Sequence, residues 1–213
     1  KYKSKHGIVF GQRVSFMWSV YIRGMDNLLM DFLIEPDFVN ELLDIVLDVH
    51  IKIAINAISM GADVILLCDD YATNQGPLFS PKIFDEFIKP RLIKMVDVIH
   101  ENDAKAVKHS DGNLWPIMGS LIETGIDGLH PIDPIAGMDI GKVKRRHGHQ
   151  ICLFGNIDCG PLLTFGTEDE VEQAVKSCIE KASYNGGHII TSSNSIHSSV
   201  KPENYLRMIE AVK

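Results

Sequence analysis

The sequence predicts an α/β fold of the TIM (β/α)8-barrel type, made of parallel strands. Three observations predict it. Six short apolar runs, at 7–11, 64–70, 104–112, 126–133, 151–158 and 188–194, each end in polar, chemically capable residues. Chemistry collects in this way at the carboxyl ends of the strands of a β/α barrel, whose helices serve as packing. Helical periodicity separates the runs, and no antiparallel turn signal joins them, so right-handed crossovers between parallel strands are expected. The clusters are Asp69/Asp70, His109/Asp111/Asn113, His130/Asp133, Asn156/Asp158 and Ser193/Asn194/His197. In such a barrel they converge on one mouth, and an enzyme is the expectation.

The elements follow in order. Phe16–Gly24, with Trp18, Tyr21 and Arg23, suits a loop or short helix over a cleft. From Pro36 to Met60 apolar residues recur at three- and four-residue intervals, an amphipathic helix stopped by Gly61. The run 63–70 has the β-branched content and length of a buried strand. Ser80-Pro81 supplies an N-cap and a first-turn proline, and the helix to about Asn102 should kink at Pro90. Strand 104–109 leads to a polar loop, then to a helix over 114–124 closed by Gly125. Strand 126–130, helix 140–147 and strand 151–154 come next. Thr167-Glu-Asp-Glu170 is a capping box that starts a helix at Glu168, running to about Ser183. Strand 188–191 precedes a Ser/Asn-rich loop, and a last helix starts near Pro202.

At 213 residues the chain can bury a sizeable core as one domain, 1–213, and 45% hydrophobic with 23% charged residues is ordinary for a soluble protein. A net charge of −7 without a long Lys/Arg run argues against a nucleic-acid partner. Lys142-Val-Lys-Arg-Arg146 reads as the solvated face of a helix. No apolar stretch reaches the ~18 residues of a membrane span, no signal peptide is evident, and the cytoplasm is the expected compartment. Cys68, Cys152, Cys159 and Cys178 form no CxxC pair and read as free thiols, with Cys159 just past a strand end. Six strands are two short of a closed barrel, which usually takes ~250 residues. The expectation is the C-terminal six βα units of a longer barrel; the alternative is a complete domain with an open or partner-completed sheet, whose two exposed edges a homodimer would cover.

Three loop motifs in this order are specific: His109-Ser-Asp-Gly-Asn113, Gly155-Asn-Ile-Asp158, and Ser192-Ser-Asn-Ser-Ile196 followed by Pro202-Glu-Asn204. Together with Cys68-Asp-Asp70 ahead of Gly76-Pro-Leu-Phe-Ser-Pro81, they make the chain resemble the uroporphyrinogen decarboxylase superfamily. That group includes the decarboxylase of haem synthesis and zinc- and corrinoid-dependent methyltransferases. The resemblance covers essentially the whole chain and implies the last six strands of the family barrel.

Departures from two branches of the family are informative. The thiol-methylating branch binds zinc through a His-x-Cys motif and a later Cys. Here those positions read His109-Ser110-Asp111 and Asn194, so zinc loses its preferred thiolates. The decarboxylase branch acts on a substrate with many carboxylates, whereas this mouth is rich in Asp, with Arg13 and Arg23 the nearby cations. The resemblance therefore points most to corrinoid-linked methyltransferases of O-methyl or N-methyl substrates, which dock a separate corrinoid-binding protein. A cofactor-free decarboxylase of porphyrin synthesis is the alternative.

On this reading Asp70, His109 and Asp111 are the catalytic candidates, as a proton source or as a metal cradle using His109 and Asp111. A His–carboxylate pair can orient an imidazole and raise its pKa. Trp18, Asp69, Asn113, His130, Asn156, Asp158, Ser193 and Asn194 are the substrate-binding candidates. Of the adjacent Asp69 and Asp70 only one side chain can face the mouth, and Asp70 is favoured, leaving Asp69 to tie the following loop.

Overall fold

Residues 3–213 are described in the computed structural model, and they divide into two units. The first comprises the chain up to Tyr71, Pro77–Ser110 and Pro116–Asp127. It opens with β1 (Val9–Gln12), α1 (Phe16–Arg23), α2 (Met25–Ile34), α3 (Pro36–Ser59) and β2 (Val64–Cys68). A short ribbon, β3 (Ala72–Thr73) and β4 (Gly76–Pro77), interrupts the loop that follows. The unit then continues with α4 (Pro81–Ile83), α5 (Lys89–Glu101), β5 (Lys105–His109) and α6 (Met118–Ile122).

Strands β1, β2 and β5 pair in parallel, and Cys68 lies level with His109. That register brings two polar strand ends to the same height. Ser80 caps α4 by accepting the Ile83 N–H, as its sequence predicts. The expected kink at Pro90 is instead a π-helical turn over Phe84–Ile88 just ahead of it. The missing proline N–H and ring bulk are absorbed by a wider turn rather than by a broken helix.

The helix over Pro36–Ser59 matches its amphipathic signal, while α2 is an additional helix. Its Phe32 belongs to an aromatic cluster with Phe16, Phe79 and Phe87, at ring-centroid distances of 5.0 to 6.5 Å. Stacked and edge-to-face aromatic pairs each contribute about 0.5–1.5 kcal/mol beyond burial. They turn Phe16–Arg23 into a true helix, because Phe16 has a buried seat.

The second unit comprises Ala72–Gly76, Asp111–Trp115 and Gly128–Lys213. Its regular elements are β6 (Gly128–His130), α7 (Ile140–His147), β7 (Cys152–Phe154), α8 (Pro161–Phe165), α9 (Glu168–Ala182), β8 (His188–Ile189) and α10 (Pro202–Glu210). Strands β6, β7 and β8 pair in parallel. The capping box at Thr167 is complete in both directions. The helix expected over 114–124 shrinks to a 3-10 turn (Trp115–Ile117) and α6. α8 is a further helix that the sequence reading omits.

Six parallel strands alternating with helices give the chain a TIM-barrel-like α/β fold. Among the described residues no helix is long and apolar enough to cross a membrane.

Candidate functional site

In the first unit the candidate residues sit at the ends of β2 and β5. Asp69 is fully buried, and its carboxylate accepts the backbone N–H groups of Val14 (3.1 Å), Phe16 (3.0 Å) and Met17 (3.3 Å). It therefore pins the loop after β1, not the loop after β2 as expected. Both of its oxygens are spent on backbone, and no solvent reaches them. Burial pushes the Asp69 carboxyl above its ordinary pKa, while the Lys108 charge and the three N–H bonds pull it back.

Lys108 escaped the sequence reading. A lysine inside an apolar run looks like a solvent-facing residue, yet its side chain is 0% exposed. Its ammonium donates to the carbonyls of Leu67 (3.1 Å), Asp69 and His109, and it lies 4.1 Å from the Tyr71 ring centre. A cation satisfied by carbonyls from both strand ends holds β2 and β5 in fixed relation.

Asp70 and His109 lie above this buried layer. Asp70 Oδ1 is 3.5 Å from His109 Nε2, with the aspartate more exposed than the imidazole. The alternation of an extended strand explains the division of labour between Asp69 and Asp70. Arg13 donates to the Cys68 carbonyl at 3.1 Å and stacks on Tyr21, whereas Arg23 is committed to Asp31. Trp18 packs against Tyr21 and His50 and lines an apolar groove between α1 and α3.

In the second unit a cavity of about 460 Å³ is lined by Asn74, Asp111, Asp133, Ile135, Asp158, Cys159, Ser193, Asn194, Ser195 and His197, among others. Asn194 Nδ2 donates to Asp111 Oδ2 at 2.5 Å, and its Oδ1 accepts the Ser195 N–H. The buried Ser193 hydroxyl accepts the Cys159 N–H. Asp133 accepts the N–H groups of Gly112 and Ile135, and Asp158 those of Gly160 and Leu162. Both carboxylates thus shape loops while contributing negative charge to the wall.

Two of the predicted site residues are placed elsewhere. Asn113 accepts the Trp115 N–H and gives its own N–H to Thr73. It closes its loop and is absent from the cavity wall. Asn156 donates to the Ile132 carbonyl at 2.9 Å and borders a separate cavity of about 390 Å³ with Met138, Ile140, Ser177, Cys178 and Lys181. His130 is half-buried, and burial lowers its pKa below the ordinary histidine value.

Asn74 is a residue the sequence reading missed. Its loop is brought to the cavity because Gly112, at φ 88°, lets the chain pass closely: a Cβ there would lie 2.6 Å from the Ala72 carbonyl oxygen. The only sequence signal was the glycine inside the His-Ser-Asp-Gly-Asn motif.

A family model described as Uroporphyrinogen decarboxylase (URO-D) matches residues 14–213. The chain belongs to the uroporphyrinogen decarboxylase family. Among curated relatives, a protein named uroporphyrinogen decarboxylase from Hydrogenovibrio crunogenus is 28% identical over 183 residues, which are 84% of this chain and 49% of the relative. Another of that name from Vibrio vulnificus is 29% identical over 188 residues, with the same coverage. The chain spans about half the length of the curated relatives it matches. A methyltransferase from Methanosarcina mazei, 23% identical, superposes with a TM-score of 0.85 over 99% of this chain and 60% of its own. At that identity the likeness shows the fold, and it agrees with the parallel α/β architecture of this family member.

Proposed function

We propose that the protein is an enzyme that moves a methyl group between an O-methyl or N-methyl substrate and a corrinoid held by a partner protein. One observation carries the reading. The cavity of the second unit has three carboxylates in its wall, Asp111, Asp133 and Asp158, and neither lysine nor arginine. Such a wall repels a substrate that bears several carboxylates and accepts a neutral or cationic one. The methyltransferase from Methanosarcina mazei supports the same direction through its fold.

The corrinoid, when presented by the partner, supplies the nucleophile that accepts the methyl group. The chain's own task is the leaving atom. As the carbon–oxygen or carbon–nitrogen bond breaks, its electron pair stays on the heteroatom, and an unneutralised anion in a dry pocket is costly. His109, held by Asp70, is assigned to deliver a proton there. Asp111 with Asn194, and Ser193 beside them, position the substrate.

A divalent ion could take the proton's place as Lewis acid, with His109 and the neighbouring Asp70 of the first unit as the residues that would hold it. These are oxygen and nitrogen donors. Cys68, level with His109, gives its thiol to the Leu66 carbonyl, and burial pushes the thiol pKa up. The donor set fits a hard or borderline ion better than the thiolate-rich zinc centre of a thiol-methylating enzyme.

A second reading, decarboxylation of a carboxylated pyrrole substrate, is favoured by the names of the curated relatives. The deciding experiment mixes the full-length protein with a reduced corrinoid protein and a panel of methoxyaromatic and N-methyl donors, and in parallel with uroporphyrinogen. Donor-dependent change of the corrinoid spectrum, abolished by His109→Gln, supports methyl transfer. Coproporphyrinogen with a silent corrinoid overturns it in favour of the second reading.

A further inference from the structure

Of the three arginines in the first unit, two are taken by carboxylates: Arg23 holds Asp31 at 2.6 Å and Arg91 holds Asp44 at 2.8 Å. The third, Arg13, is half-buried and has no carboxylate partner among the described residues. Its Nη1 donates to the Cys68 carbonyl at 3.1 Å, and the guanidinium lies 5.2 Å from the centre of the Tyr21 ring. These contacts restrain the planar fork and leave its Nε and Nη2 without an acceptor. A guanidinium drawn partly out of water without a counter-charge is costly, so its position needs a reason.

The backbone of Arg13 is held on both sides. Gln12 ends β1 level with Leu67 of β2, and the Val14 N–H is bonded to the buried Asp69 carboxylate. Arg13 therefore stands at the carboxyl end of β1 beside the carboxyl end of β2, where the chemistry of this fold collects. Cys68, whose carbonyl it holds, is level with His109, and Asp70, two residues further on, lies 3.5 Å from that imidazole. The charges of Arg13 and Asp70 both act on the Cys68 thiol, in keeping with their place at one strand end. Asp70 meets His109, and no ion pair joins it to Arg13.

A restrained planar fork with open donors suits a carboxylate, which accepts two parallel N–H bonds from it. We infer that Arg13 is the specificity-determining residue for a carboxylate on the substrate, gripping it at the end of β1 while the Asp70–His109 pair serves the reacting end. The methyl donor is then a monocarboxylic acid bearing an O-methyl or N-methyl group, rather than an uncharged ether or a simple amine. One carboxylate is neutralised by Arg13, whereas further ones would find the other two arginines of this unit already paired. The identity of the donor rests on the methyl-transfer reading above; the carboxylate grip does not.

The test is calorimetric titration of the full-length protein with benzoate and with benzamide, which has the same shape and no charge. Neither probe carries a transferable methyl group. Benzoate should bind roughly tenfold tighter than benzamide, and Arg13→Gln should erase that preference. Arg13→Lys should keep only part of it, since an ammonium retains the charge without the fork, and this variant reads the contact should Arg13→Gln fold poorly. Equal affinity for the two probes, binding of neither, or a preference unchanged in the variants overturns the inference. The same proteins assayed with 3-methoxybenzoate and a reduced corrinoid protein test the donor separately, with a raised KM at unchanged kcat in Arg13→Gln as the expected result. A silent corrinoid together with an Arg13-dependent benzoate preference removes the methyl-transfer reading and leaves the carboxylate grip standing.

Discussion

Asp69→Asn tests whether the buried layer under the site is as tightly built as its geometry indicates. In the native protein both carboxylate oxygens accept backbone N–H groups, from Val14, Phe16 and Met17 at 3.0 to 3.3 Å, and the fully buried Lys108 balances the charge. An asparagine of the same shape turns one oxygen into an NH2 group facing donors, so one or two of the three bonds are lost. Each orphaned buried donor costs about 1–3 kcal/mol. Leaving the Lys108 ammonium without its counter-charge puts the change in the class of broken buried pairs, about 3–5 kcal/mol. At about 2–4 °C per kcal/mol for a chain of this size, the melting temperature should fall by roughly 6–20 °C. Urea unfolding by circular dichroism gives the energy, and hydrogen exchange locates it, with faster exchange at the amides of Val14, Phe16 and Met17. A loss below about 1 kcal/mol with those amides still protected would refute the reasoning, because Asp69 would then not be what holds the loop.

Thr167→Ala should lower stability by about 1 kcal/mol, read in urea melts, since it deletes the N-cap half of the α9 capping box. Gly155→Ala should prevent accumulation of folded protein. Its φ is 128°, and a Cβ would sit 1.9 Å from the Pro131 carbonyl oxygen, so a normal melt for that variant would contradict the geometry. Burial lowers the pKa of His50, His130 and His188. The unfolded chain therefore binds protons first, and stability should fall as pH drops below about 6.5. A urea midpoint at pH 5.5 equal to or above that at pH 7.5 would count against neutral buried imidazoles. Asn194→Ala should cut turnover roughly tenfold with little change in melting temperature, because it frees Asp111 from its 2.5 Å partner at an exposed position.

How much of this was legible in the chain depends on the range of the interaction involved. Ser80-Pro81 and Thr167-Glu-Asp-Glu170 act within three or four residues, and each caps a helix where the sequence places it. The strand ends are local in the same sense: Asp70, His109, Asp111, Ser193 and Asn194 stand out as candidates because an apolar run that stops on polar residues is a local pattern. α2 was missed because its helix is stabilised through Phe32, whose aromatic partners Phe16, Phe79 and Phe87 are distant in sequence.

The chain by itself determined the parallel α/β class, the helix caps and the short list of polar tips, since all follow from periodicity and neighbouring residues. Only the tertiary structure decided what each tip does. It spent Asp69 on the loop after β1, Asn156 on the Ile132 carbonyl and Asp158 on α8, and it moved Trp18 to a groove. The physical reason is hydrogen-bond satisfaction. A buried backbone N–H or carbonyl must find a partner wherever the fold places it, and the nearest polar side chain is taken for that purpose regardless of its separation along the chain.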